Sequence, residues 1–289
     1  MNIKNALPDW LYFQLLYIKH FGRLGRFNNP TRFSEKLFAR MLSPLPEFSM
    51  LADKIAVRKY VKDTVGGEYL IPMYGSFDSL THDVFSQLPD NIVIKGNHAA
   101  GQVIVIRNKR DVEFDWVQQE TNRWMASIYG LDTRQRHYGR IVPRLIVEKA
   151  LLEGGRLPND YKVHVLKPGK NDRSFFFIQL ISGRGREMAQ ALYTEKWEKA
   201  PFWKSGYKDT QVADRTPKPE QLEEMLSVAD KLTGSLGYAR VDFYIHEDKL
   251  YFGEITLTPV GGRLKLMPPH YDRILGDHIA WPDQFLNIT

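Results

Sequence analysis

Residues 238–256 read YARVDFYIHEDKLYFGEIT, two runs rich in β-branched and aromatic residues around a short polar turn, which is a hairpin signature. Alternation places Ala239, Val241, Phe243 and Ile245 on one face of the first strand and Tyr238, Arg240, Asp242 and Tyr244 on the other. On the second strand Leu250, Phe252, Glu254 and Thr256 share a face. With a three-residue loop at Glu247, Asp248 and Lys249, His246 pairs with Leu250, Asp242 with Glu254 and Arg240 with Thr256. Directly opposed residues hold their Cβ atoms ~4.5–5.5 Å apart, where like charges repel. A divalent cation between the two carboxylates removes that repulsion. Oxygen donors without Cys or His suit Mg²⁺, which is usually shared with substrate phosphates. Arg240 on the same face adds a donor for phosphate. A solvated hairpin with one salt bridge is the alternative, and two acids alone do not decide between them.

The chain has 289 residues, enough for one composite unit or two closely packed lobes. It has no Cys, which excludes disulfides and thiolate chemistry and fits a reducing, cytoplasmic compartment. No apolar run approaches the roughly 18 residues of a spanning helix, and no signal peptide is evident. The net charge of +6 favours acidic partners such as nucleotides, anionic polysaccharides, nucleic acid or anionic lipid. Bases are interspersed with acids along most of the chain, so a general polyanion binder is not required. The local excess at Arg134, Arg136, Arg140 and Arg144 reads as a solvated face.

Two helical segments are expected within residues 8–43, separated by a turn at Asn28-Asn29-Pro30. The first is apolar nearly all round and is expected on the core. Peripheral contact with the inner face of a membrane is the alternative, given its aromatics and terminal bases. Residues 49–67 read as one helix with Leu51, Ile55 and Val61 at helical spacing and Gly66-Gly67 as its stop. Strands follow at YLIPMYG, on both sides of the glycine loop in IVIKGNHAAGQVIVI, and at RLIVEKALL, DYKVHVL and RSFFFIQLI. A helix over about 112–130 separates the glycine-loop strands from RLIVEKALL. Residues 182–217 read as a long irregular loop rich in Arg and Trp. Pro219 opens a helix carrying Leu222, Met225, Leu226, Ala229 and Leu232 on one face.

Lys95 ends a buried strand, and Gly96 to Gly101 form a loop whose N–H groups can approach an anion. It is not a Walker A loop: Gln102 stands where Lys is needed, and a strand follows instead of a helix. Glu148 and the backbone of Lys149, Ala150 and Leu151 suit the edge of an adenine ring, and Asp160 suits ribose hydroxyls. Each acid taken singly reads equally as a surface carboxylate. His98 and His164 are candidate proton carriers, or buried structural histidines. No zinc helix and no nucleophile elbow is present.

The order of these segments resembles the ATP-grasp superfamily. More narrowly, FNNPTRFSEKL, LADKIAVRKYV, LPDNIVIKGNHAAG, NDYKVHV, RVDFYI and YFGEITLTPVGG resemble the TupA-like ATP-grasp family of bacterial surface-polysaccharide gene clusters. The resemblance implies an α/β (α+β) fold in which two mixed or antiparallel β lobes clasp a nucleotide. Residues 1–50 would be a short helical N-terminal extension, 51–145 the small lobe and 146–289 the large lobe. It further implies that Lys54 and Lys95 contact the phosphates of ATP, that Gly96 to Gly101, with His98, form a mobile lid, and that Glu148 to Leu151 hold adenine. Asp160 would hold ribose. Asp242 and Glu254 would carry Mg²⁺, with Arg240 aimed at the transferred phosphoryl group or acyl phosphate and Arg263 a further catalytic residue bordering the phosphates. One departure is Thr256, which stands where many superfamily members have Asn; its hydroxyl would still ligate a metal or hold a water, with a two-metal site less well supported.

The implied reaction is ATP-dependent ligation of a carboxylate to an amine through an acyl phosphate. The family's genomic setting suggests joining an amino acid to an acidic sugar of a capsule or cell-wall polymer. Arg184, Arg186, Trp197, Trp203, Tyr207 and Arg263 are the residues expected near the acceptor, with plain packing the alternative for each Trp. A sugar kinase using the same cleft is the rival enzyme. A basic nucleic-acid-binding protein is the non-catalytic rival, disfavoured because no nucleic-acid motif is present.

Overall fold

Alternating strands and their connecting helices assemble into three antiparallel sheets in the computed structural model, which describes residues 7–169, 172–183, 188–206 and 216–282. Strands β1 (Met73–Phe77), β2 (Ile92–Gly96), β3 (Val103–Ile106) and β4 (Leu145–Lys149) form a four-stranded sheet in the order β1-β4-β2-β3. Strands β5 (Asp160–Leu166), β6 (Phe175–Ser182), β7 (Ala189–Thr194), β9 (Tyr238–His246) and β10 (Lys249–Thr256) form a five-stranded sheet in the order β10-β9-β5-β6-β7. A short pair, β8 (Trp203–Lys204) with β11 (Leu266–Met267), completes the set. This is the expected α/β arrangement, with antiparallel sheets of four and five strands.

The β9–β10 hairpin corrects the expected turn and preserves the expected pairing. The loop has two residues, Glu247 and Asp248, both at positive φ (50° and 59°), and Lys249 pairs with His246. That backbone matches the tight turn favoured by the right-handed strand twist. A bulge at Gly253 then adds one residue, so Asp242 still faces Glu254 and Arg240 still faces Thr256. The same bulge moves Leu250 and Phe252 to the core face, opposite to Glu254 and Thr256. A Cβ on Gly253 would lie 3.0 Å from the Asp242 carbonyl oxygen and from the Tyr244 ring.

One face of the large sheet carries the main core. Val163, Val241 and Phe243 pack there on Met225, Ala229 and Leu232 of helix Leu222–Thr233. Phe48, Leu51, Val57 and Val61 reach the same core from the other side of the chain. These last residues lie on two helices, Phe48–Ala52 and Val57–Thr64, instead of the single one expected. The break comes at Asp53, whose Oδ1 accepts from the Ile55 N–H at 2.8 Å and the Ala56 N–H at 3.3 Å. Lys54 is thereby set in a turn, and Ile55 is only half-buried.

The expected loop over 182–217 contains β7 and β8 among its described residues. Alanines at 189 and 191 carry little strand propensity, and β7 is fixed by pairing with β6 and by burial. The first helix, Asp9–Phe21, buries Phe13 and Tyr17 against Phe27, Phe38 and Met41 and leaves Trp10 and Leu15 exposed. The second, Phe33–Leu42, is held to the C-terminal helix Tyr271–Asp277. There Asp272 accepts from the Ser34 N–H at 2.8 Å, and Lys36 donates to the Gly276 carbonyl at 2.7 Å. No helix among the described residues is long and apolar enough to cross a membrane.

Candidate active site

A cavity of about 370 Å³ lies between the two large sheets. Along β2, side chains on one face run from Val93 to Lys95 towards the glycine loop, so the cavity grades from apolar to charged in that direction. Val93, Val105, Ile71 and Leu151 line the apolar part; Lys54, Lys95, Lys162, Asp242 and Glu254 line the charged part. Asp160 also lines it, as do Lys149, Ala100 and Gly101. Gly101 sits at φ +81°, where a residue with a side chain would be strained.

The carboxylates of Asp242 and Glu254 share one face and one guanidinium. Arg240 donates to Asp242 through Nε at 2.7 Å and Nη2 at 2.8 Å, and to Glu254 through Nη2 at 3.1 Å. Its Nη2 also lies 2.8 Å from the Thr256 hydroxyl, which donates to Glu254 at 3.0 Å. Lys162 pairs with Asp242 as well. Lys54 stands 3.8 Å from Glu254 and donates to the Ala99 carbonyl at 2.6 Å. Burial alone would raise the Glu254 pKa, but Lys54, Arg240, Lys162 and the Thr256 hydroxyl outweigh it and hold the group at about 2. Burial pulls Lys54 down, partly opposed by the charge of Glu254. Burial disfavours the Arg240 cation too, yet Asp242 and Glu254 win and raise its pKa.

Other expected site residues have different surroundings. Glu148 does not line the cavity: it accepts from Arg58 at 2.8 Å and from Lys95 at 2.7 Å, which fixes the lysine in place. Ala150 is buried, and its N–H donates to the Asn91 carbonyl at 2.8 Å. His98 is buried within the glycine loop beside Asn97, with burial pushing its pKa down. His164 is fully buried, bonded to the Tyr238 hydroxyl at 2.8 Å and stacked on Phe177. Gly96 ends β2 against Gln102. Arg263 does not line this cavity and donates to the Val260 carbonyl at 2.9 Å. Trp197 packs face to face on Tyr193 with ring centroids 4.3 Å apart, and Trp203 pairs with Met267. Arg184, Arg186 and Tyr207 lie outside the described residues.

Lys162 was missed in the sequence, although its signal was there. In DYKVHVL it shares with Asp160 and His164 the face opposite to Tyr161, Val163 and Val165. Its register partner is Asp242. Arg58, which secures Glu148, carried no comparable signal, since it comes from a distant helix.

Two antiparallel sheets enclosing a lysine-lined cavity, with paired acids on a hairpin at its charged end, define the class as ATP-grasp. A family model described as TupA-like ATPgrasp matches residues 35–280, and the chain belongs to that family. Comparison with curated proteins finds no match. Among solved structures, a D-alanine-D-alanine ligase from Helicobacter pylori is 14% identical, covering 79% of this chain and 60% of its own, with a TM-score of 0.42. An L-amino acid ligase from Bacillus licheniformis is 13% identical over 93% of this chain and 51% of its own, with a TM-score of 0.44. An N5-carboxyaminoimidazole ribonucleotide synthetase from Thermus thermophilus is 10% identical over 72% of this chain and 45% of its own, with a TM-score of 0.39. The chain therefore spans less than two thirds of the length of each of these three.

Proposed function

We propose that this chain is a MgATP-dependent ligase that activates a carboxylate as an acyl phosphate and joins it to an amine. The substrates we assign are a uronic acid unit of a surface polysaccharide or its precursor and an amino acid, with the reaction in the cytoplasm. The observation that carries the reading is the Asp242–Arg240–Glu254 constellation facing a cavity lined by Lys54, Lys95 and Lys162.

The donor set fits Mg²⁺ in one specific way. Among the described residues no group of three or more His, Cys, Asp or Glu side chains is placed to hold a metal. Two carboxylates and a hydroxyl do not make an all-protein cage, but Mg²⁺ characteristically takes one or two carboxylates and completes its shell with phosphates and water. Asp242 and Glu254 would hold it, with Thr256 beside them. When bound, it would neutralise negative charge on the phosphates of ATP.

The remaining roles follow from what each side chain touches. Val93, Val105 and Leu151 form an apolar slot for the adenine ring. The Leu151 N–H donates to no other described residue and is available to the ring edge. Asp160, buried at the cavity wall, faces the ribose hydroxyls. Lys54 is a desolvated cation that gains from an anionic partner, and Lys95, locked by Glu148, offers a fixed charge to the phosphates. Phosphoryl transfer depends on positioning and charge neutralisation more than on covalent help. Arg240 is aimed at the γ-phosphoryl group. A carboxylate oxygen of the substrate attacks the γ-phosphorus and ADP leaves. The amine then attacks the acyl carbon, phosphate leaves, and the amine gives up a proton.

The test is a screen of amino acids against uronic-acid glycans with MgATP, following ADP, free phosphate and product mass. A ligase releases ADP and phosphate together only when both substrates are present. Asp242→Asn and Glu254→Gln are expected to abolish turnover without unfolding the chain. Phosphate retained on the sugar would make it a kinase instead, and full activity in both variants would remove the metal site.

A further inference from the structure

A second cavity, of about 630 Å³, opens between the start of the first helix and residues 128–140. Its charge is one-sided: Arg134, Arg136 and Arg140 line it against a single carboxylate, Asp9. Asp9 accepts from Arg134 at 2.8 Å and from Arg136 at 2.5 Å. Arg134 is further pinned by the Leu7 carbonyl at 2.8 Å and lies over the Tyr12 ring. Arg136 remains 62% exposed, and Arg140 is exposed with no ion pair among the described residues. The cavity therefore presents more guanidinium charge than its own carboxylate can neutralise.

Its inner wall adjoins the site described above. Tyr129 lines this cavity and its hydroxyl reaches the backbone of Ala100, which lines the nucleotide cavity. Tyr129 packs edge-to-face on Tyr138 with centroids 4.9 Å apart. Both phenols are raised by burial and, next, by the charge of Glu254. The floor is tied to the metal hairpin: Gln135 accepts from the Thr258 hydroxyl at 2.7 Å, two residues beyond Thr256. Ile128 and Leu131, 65% and 67% exposed, give the rim apolar surface beside the arginines.

We propose that this cleft binds the carboxylate-bearing sugar substrate, with Arg136 and Arg140 as its anion-recognising side chains and Tyr129 at the wall shared with the nucleotide cavity. Guanidinium forks match carboxylate geometry, and aromatic and apolar surface beside them suits a sugar ring. The volume lies within the ordinary range for a small-molecule site. The inference rests on the ligase reading and adds to it the place and chemical class of one substrate.

The test is calorimetric titration of trigalacturonate into the full chain saturated with Mg²⁺ and the non-hydrolysable analogue AMP-PNP, with neutral maltotriose as control. Trigalacturonate is expected to bind and maltotriose not to. The double variant Arg136→Ala/Arg140→Ala should weaken trigalacturonate at least tenfold while binding AMP-PNP normally. Arg173→Ala, removing an arginine 82% exposed elsewhere on the surface, should change nothing. Equal affinity in wild type and double variant overturns the proposal. So does an equal loss in the Arg173 control, or wild-type binding of AMP-PNP without any trigalacturonate binding. Failure of the wild type to bind AMP-PNP would instead sink the ligase reading beneath it.

Discussion

Replacing Glu254 by Gln keeps the side-chain shape and removes one charge, and its effect on stability should depend on pH in a defined direction. The Glu254 pKa is held at about 2 against an ordinary value of 4.5. Such a shift stabilises the folded chain by about 3 kcal/mol at neutral pH. The side chain is 31% exposed, so solvent screening reduces this to about 1–2 kcal/mol. Because the folded-state value is depressed, the unfolded chain binds more protons between pH 2 and 4.5. The contribution is therefore complete above about pH 5 and lost as pH falls towards 2. Urea unfolding of wild type and E254Q from about pH 6 to about pH 3 measures it, and only their difference matters, since titrations common to both cancel. That difference should favour wild type at the upper end and shrink by more than half at the lower. A gap that stays constant, or widens in acid, would refute the claim that Lys54 and Arg240 hold this carboxylate ionised.

Three further outcomes are expected. Lys162→Met should raise KM for ATP at least tenfold in steady-state assays while circular dichroism stays unchanged; an unaltered KM would take Lys162 off the phosphate path. Gly253→Ala places a Cβ 3.0 Å from the Asp242 carbonyl and the Tyr244 ring and should cost about 1–3 kcal/mol, read as a lowered Tm. A wild-type Tm would mean that the bulge tolerates a side chain. Mg²⁺ should bind at least tenfold more weakly alone than with AMP-PNP, because Asp242 and Glu254 are already engaged by Arg240, Lys162 and Lys54. Equal affinity with and without the nucleotide would contradict that.

Much of the fold was legible because the two faces of an element meet surroundings of different polarity, which gives apolar residues period two on strands and 3.6 on helices. DYKVHVL reads as a strand and is one over the same seven residues, Asp160–Leu166. The glycine-loop hairpin and the helix after Pro219 are equally direct. Departures came where a local backbone preference competed with the pattern. Asp53 offers its carboxylate to two N–H groups and breaks a helix that hydrophobic spacing alone would continue. Gly253 shifts the hairpin register, and alternation carried through it misplaces Leu250 and Phe252. The turn and bulge differences offset each other, which is why Asp242 and Glu254 were paired from an incorrect loop.

The site was less legible because ion partners are chosen across the fold. Nothing near Glu148 in sequence indicates that Arg58, 90 residues earlier, and Lys95 both claim it. The adenine-edge assignment assumed an available carboxylate, and the structure gives that carboxylate two cations instead. A buried charge left unpaired is costly, so the fold satisfies each acid from whatever cation packs nearest. The same rule explains Arg240, which bridges the very carboxylates whose repulsion first marked the hairpin. Without a metal the guanidinium relieves that repulsion, so the pairing of acids is not itself evidence of a cation. What favours one is the lining of the cavity, where four lysines (Lys54, Lys95, Lys149 and Lys162) stand against three acids (Asp160, Asp242 and Glu254), a setting that suits phosphates and the metal they would bring with them.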